Sequence, residues 1–392
     1  MMSAEIEVLG QFDPGRSALA QSSDGPLGRD AQDAVERARV SAATRLGRWL
    51  PVPVVERLGA YFEDAAVHTV GAPGANGKPS FELAAFLSHL CARPRTVYSA
   101  GGDSAAAEVE LRTLNGPTDG TQYGAQPEPD SPRVQFSPTR LARALANGLS
   151  LGVRQFDRQF TEWAPIVDDI AAVSGADIFT KLFVAGGNES VTDWHRDQSD
   201  VVVTMLTGAK QFDVAPATAR DEQDPDIEVG AELRSDTALL LPRSRAHCAT
   251  PVGSISALLS IGIMRHADWA IRSVIPTHLG FETNPRSAAA YRLMLRPHVP
   301  AALAPDQVEG EDCWRSRLPG GLLVLDESGD IAEVAALGMR VRLAVPALRA
   351  LLTIHAAGPS TAAEIAEEGS LTESTCQEIL KNLVTAELVA PC

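Results

Sequence analysis

Thr192-Asp193-Trp194-His195-Arg196-Asp197, followed by Asp200-Val201-Val202-Val203-Thr204-Met205-Leu206, is the stretch on which the fold turns. Side chains alternate between the two faces of a strand, so His195 and Asp197 project to one side and converge on one point. The β-branched run that begins at Asp200 reads as a buried strand. Thr207-Gly208-Ala209 reads as a turn, with Lys210-Gln211-Phe212-Asp213-Val214 as a return strand that brings Lys210 back beside the first.

Two donors do not hold a metal ion. The third comes from Leu241-Pro242-Arg243-Ser244-Arg245-Ala246-His247, where His247 stands just after one apolar run and just before another, Ile255 to Ile263. Two imidazoles and one carboxylate on one side of an ion are the donor set of non-haem Fe(II), with the remaining positions open to a cosubstrate and O₂. A lysine beside such a site is costly to bury unless an anion comes to it. A dicarboxylate such as 2-oxoglutarate, chelating iron at one end and meeting Lys210 at the other, supplies that anion.

Two other readings of the stretch compete with a metal site. A single buried histidine is ordinarily a hydrogen-bonded core residue, and it is the neighbours of His195 that lift it above that. A kinase catalytic loop needs an Asn five residues after its Asp, together with a Gly-rich loop, a V-A-I-K lysine and a D-F-G. Position 202 is Val, and the companions are missing.

The pattern H-x-D-x-x-D-V, then Gly and a basic residue, then an aromatic, with L-P-R before a distal His, resembles the JmjC-type 2-oxoglutarate oxygenases, especially the cupin-like ribosomal oxygenases. The resemblance covers roughly residues 140 to 265. It implies a double-stranded β-helix, or jelly roll, holding Fe(II) on His195, Asp197 and His247. It further implies that Lys210 binds the distal carboxylate of 2-oxoglutarate with help from Thr192, and that a protein or peptide side chain is hydroxylated. Ala246, Met205 and Phe212 depart from the residues usual at their positions, and the identity of the substrate does not carry over. Asp200 is expected to restrain the metal strand or meet a substrate cation. Trp194 is expected either to line the pocket or to pack outside the barrel.

Composition narrows the rest. The 392 residues, 45% of them hydrophobic, suffice for a sizeable core and two or three domains. A formal charge of -16 argues against a nucleic-acid surface. Five scattered cysteines, none in C-x-x-C spacing, indicate neither a disulfide framework nor a structural zinc site. With no signal-like start and no apolar run of membrane-spanning length, the expected setting is the cytoplasm, without membrane partners.

The expected class is a mainly β core with flanking helices. Its parts are a flexible arm (1–28), a helical region (29–94), the catalytic core (95–265), a helical and strand linker region (266–345) and a C-terminal winged-helix-like domain (346–392). The third helix of that last domain carries Glu373 and Glu378, with Glu387 at its end, against one Lys381. It therefore reads as a protein-binding or homodimer-supporting module rather than a DNA reader. Two alternatives stand beside the protein hydroxylase. One is a hydroxylase of a free amino acid or natural-product intermediate on the same iron site, and the other is a non-catalytic peptide-binding barrel.

Overall fold

The computed structural model describes residues 6–11, 25–59, 68–71, 81–98, 107–128, 131–187, 193–216, 219, 226–235, 237–264 and 313–391. The chain divides into two compact units, each discontinuous in sequence. One is Gly47–Trp163 with Ile178–Met264; the other is Met1–Leu46, Ala164–Asp177 and Arg265–Cys392.

The first unit is built on a curled ten-stranded sheet. Its principal strands are β1 (His68–Gly71), β2 (Val109–Thr113), β3 (Ser150–Arg154), β4 (Asp177–Gly186), β5 (His195–Arg196), β6 (Asp200–Val214), β7 (Val229–Leu233), β8 (Thr237–Leu241) and β9 (Ala246–Met264). Their order across the sheet is β1-β8-β6-β9-β4-β3-β2, with β5 pairing β9 and β7 pairing β6. The helices Val52–Gly59, Leu83–Leu90 and Pro138–Ala146 belong to the same unit. The last of these starts as its sequence dictates: Ser137 accepts the Arg140 N–H at the N-cap, and Pro138 occupies the first turn. The mainly β core with flanking helices is thus present.

The expected hairpin at Thr207-Gly208-Ala209 is not. Asp200–Val214 is one continuous strand, because β9 runs antiparallel beside its whole length, from Asp200 opposite Ile263 to Val214 opposite His247. The glycine serves a β-bulge instead. The register shifts between Met205 and Ala209, and Gly208 sits at φ +70°, where a Cβ would lie 2.4 Å from the Ile255 carbonyl oxygen. The bulge changes which side chains face inward. Val201 and Val203 line the interior before it, and Lys210 and Phe212 after it, a switch from odd to even positions. Strict alternation from Val203 would have pointed Lys210 away from the cavity.

The second unit has a four-stranded sheet in the order Ile6–Gln11, Met339–Ala344, Ile331–Ala336, Leu323–Ser328. Helices Pro26–Leu46, Ala164–Ser174, Val345–Ala357, Ala362–Gly369 and Glu373–Thr385 complete it. Its core gathers Leu27, Trp314, Val334, Leu348, Leu351, Ile379 and Leu383. Arg45 clamps Asp169 through two hydrogen bonds of 2.9 and 2.6 Å, tying the first of these helices to the second.

The expected boundaries are corrected accordingly. Ile6–Gln11 is not arm but a strand paired with Met339–Leu343, a contact invisible to local pattern reading. The first helix of the region expected over 29–94 is Pro26–Leu46, and it groups with the chain's end, not with the helices that follow it. The three C-terminal helices share one core with the strands expected to form a linker, so residues 346–392 are not a separate domain. Residues 266–312 of the expected linker region lie outside the described residues. Cys313 is disulfide-bonded, which the scattered cysteines did not suggest; pairing of Val389–Pro391 with Trp314–Ser316 folds the chain's end back to that point. Among the described residues, no helix is long and apolar enough to cross a membrane.

Candidate metal and anion site

His195 and His247 are direct partners across the β5–β9 ladder, and Asp197 follows β5. Partners in an antiparallel ladder share a face, so the two rings meet with centroids 4.3 Å apart. Asp197 Oδ2 is 3.6 Å from His247 Nε2, and one donor atom from each of the three residues lies within 4.8 Å of the others. They are the only such group of His, Cys, Asp and Glu side chains among the described residues.

The backbone prepares both rings for a cation. His195 Nδ1 is 3.0 Å from the Asp193 carbonyl, and His247 Nδ1 is 3.0 Å from the Arg245 carbonyl. A carbonyl only accepts, so each neutral ring carries its proton on Nδ1 and turns a bare Nε2 lone pair toward the site. Burial lowers the His247 pKa, and the adjacent His195 lowers it further, against the opposing pull of the Arg245 carbonyl and Asp197. The neutral ring is the form that ligates.

The turn preceding His247 is pinned from several sides. Ser244 N–H donates to the Asp197 carbonyl at 2.9 Å, and Arg196 donates to the Ser244 and Ala219 carbonyls at 2.5 and 2.6 Å. Asp200 is buried and accepts the Arg243 N–H at 2.9 Å, so it restrains this turn. Arg245 is buried and bonded to the Ala215 carbonyl and Glu228. It fixes the backbone whose carbonyl orients His247. Trp194 is half-buried and does not line the cavity, and Thr192 lies outside the described residues.

A cavity of about 690 Å³ opens over the triad. Lys210 reaches it from β6, 6% exposed, with its Nζ 5.9 Å above the Phe183 ring. No carboxylate pairs with it among the described residues, and burial alone pulls its pKa down to about 8. The structure thus places a poorly compensated cation in the same cavity as three convergent side chains of a type that could hold a metal ion.

The other wall escaped the sequence reading. Glu110, Arg112, Arg154, Lys181 and Phe183 on β2–β4 all line the cavity. The signal was present as polar residues at every second position, as in Val109-Glu110-Leu111-Arg112. Alternation alone assigns such a face to solvent, and only closure of the sheet turns it inward.

No family model matches the chain, and no curated protein matches it. Among solved structures, the ribosomal oxygenase YcfD of Escherichia coli aligns at 14% identity over 87% of this chain and 98% of that one, with a TM-score of 0.46. The same protein in complex with cobalt and 2-oxoglutarate aligns at 15% identity and the same coverage and TM-score. A cupin superfamily protein from Desulfitobacterium hafniense aligns at 17% identity over 22% of this chain and 68% of that one, with a TM-score of 0.18. Likenesses of this size assign no activity to the chain.

Proposed function

We propose that this protein is an Fe(II)- and 2-oxoglutarate-dependent hydroxylase acting on a side chain of a protein or peptide, with its curled sheet a JmjC-like jelly roll. The observation that carries the reading is the meeting of the His195–Asp197–His247 cluster and buried Lys210 in one cavity. The donor set fits iron: two neutral imidazoles and a carboxylate lie on one side, with no fourth protein donor grouped with them among the described residues.

Iron, 2-oxoglutarate and O₂, when bound, would supply the oxidation, turning a substrate C–H into C–OH as 2-oxoglutarate becomes succinate and CO₂. This chain's residues do the holding and orienting. The Asp193 and Arg245 carbonyls keep both Nε2 atoms deprotonated and aimed. The Lys210 ammonium receives the far carboxylate of 2-oxoglutarate, in a pocket whose lining includes the buried apolar side chains of Val203, Phe212 and Leu258. Thr192 would add a hydroxyl to that carboxylate.

The C-terminal helices fit a supporting role in substrate binding or self-association, since Glu373, Glu378 and Glu387 are exposed there and would repel a polyanion. The test is succinate formation by the full chain with Fe(II), 2-oxoglutarate and O₂. Turnover that requires all three and disappears in His247→Ala supports the reading, and 2-oxoglutarate left intact under these conditions refutes it.

A further inference from the structure

The wall formed by β2, β3 and β4 carries more positive charge than the 2-oxoglutarate site uses. Ladder partners share a face, and the registers set Arg112 beside Ser150, Glu110 beside Gly152 and Arg154 beside Lys181. All of these residues line the cavity, where, among the described residues, six cations face three carboxylates in a chain whose net charge is -16. One of the carboxylates, Asp197, belongs to the metal cluster, and another, Glu108, is engaged by Arg93 at 2.6 Å and by the Thr96 N–H at 3.0 Å.

Glu110 is then left among Arg112, Arg154 and Lys181. It pairs with Lys181 at 2.5 Å, across a strand position kept clear by Gly152, where a Cβ would lie 3.0 Å from Lys181 Cε. Burial nevertheless lowers the Lys181 pKa, and Arg154 and Arg112 add to the lowering against the pull of Glu110. Setting Arg154 aside, one carboxylate, Glu110, stands between the two cations Lys181 and Arg112 and pairs with only the first of them. The Phe183 ring lies under both lysines, 4.6 Å from Lys181 Nζ and 5.9 Å from Lys210 Nζ, so this cluster adjoins the anion site at Lys210.

We infer that the substrate presents a carboxylate to Arg112 and Lys181, so that the group to be hydroxylated belongs to an acidic residue or lies beside one. The inference rests on the oxygenase reading for its chemistry. 2-Oxoglutarate has one carboxylate left once its other end meets a metal, and Lys210 takes that one. The remaining positive charge serves a second anion. A basic peptide, which the acidity of the whole chain would suggest, meets repulsion inside the cavity, because the local field decides recognition there.

The test uses the full chain, with saturating 2-oxoglutarate and Mn(II) covering Lys210 and the metal cluster. Three fluorescein-labelled peptides of one length are titrated by anisotropy: one with a central Asp-Glu pair, its Asn-Gln counterpart and its Lys-Arg counterpart. The Asp-Glu peptide is expected to bind at least about tenfold tighter than the other two. Arg112→Gln, and the paired change Lys181→Met with Glu110→Gln that leaves no orphaned charge, are each expected to remove most of that preference. Unlabelled glutarate displacing the peptide would identify a free acid as the source of the carboxylate, and failure to displace it would identify a peptide; either result supports the acidic substrate class. Tighter binding of the Lys-Arg peptide, or an Asp-Glu preference that survives both variants, overturns it. Peptide binding is also read without metal, and 2-oxoglutarate affinity is measured in the same samples. Loss of metal-dependent 2-oxoglutarate binding then sinks the oxygenase reading while leaving the acidic-substrate result to stand by itself.

Discussion

His195 and His247 are register partners on adjacent strands, each with its Nδ1 3.0 Å from the carbonyl of the residue two positions earlier. One local device is used twice, and His247 Nε2 lies 3.6 Å from Asp197 Oδ2. The two carbonyls fix the orientation of both rings.

His195→Ala and His247→Ala should each reduce bound Fe(II) or Mn(II) by at least about tenfold while leaving the fold intact, since donors of an open site contribute little to the core. Metal content after equilibrium dialysis, read beside circular dichroism, checks this. Retention of full metal content in either variant would remove that residue from the site.

On the proposed function, Lys210 would link cosubstrate binding to pH. Its pKa is drawn down to about 8 by burial, and only the ammonium form attracts a carboxylate. The affinity of the metal-loaded protein for 2-oxoglutarate should therefore hold below about pH 8 and fall as pH rises above it. Binding near that pH should take up protons, which calorimetry in buffers of different ionisation enthalpy detects. An affinity independent of pH between about 7 and 9 would place the anion elsewhere.

Gly208 should tolerate no side chain. At φ +70°, with a Cβ 2.4 Å from the Ile255 carbonyl, Gly208→Ala combines backbone strain with a clash and should cost roughly 2 to 4 kcal/mol. Urea unfolding measures the loss. An unchanged midpoint would mean that the bulge, and with it the inward turn of Lys210, is not held as described.

Much of the site was legible because its chemistry sits in short motifs. His195, Asp197, His247 and Lys210 are named by spacing and residue type, and the strand pairing brings all four to one cavity. The connection around Gly208 was misread because glycine permits a bulge and a turn alike, and only the partner strand opposite decides between them. The β2–β4 wall was passed over because alternating charged residues look the same on an outer face and on an inner one. The grouping of Ile6–Gln11 with Met339–Ala344 rests on a pairing across more than three hundred residues, for which local pattern holds no signal.

His355 predicts an acid limit to stability. It is buried, its Nδ1 is 3.0 Å from Ser316 Oγ, and burial lowers its pKa from 6.5 to about 4. Between those values the unfolded chain binds a proton that the folded chain refuses, so stability falls as pH drops through that window, by on the order of 3 kcal/mol in all. His355→Gln should flatten the decline in urea midpoint from about pH 7 to about pH 5. An equally steep decline in the variant would assign the acid sensitivity to other groups.

The most direct test of the central claim, one site shared by the three donors and Lys210, is calorimetric titration of 2-oxoglutarate into the full chain with and without Mn(II), in the native sequence and in Lys210→Met. A site of this construction binds one 2-oxoglutarate per chain only when the metal is present, and loses at least about tenfold in affinity in the variant, as expected when one partner of a buried ion pair is removed. Binding that is equally strong without metal, or equally strong in Lys210→Met, would contradict it.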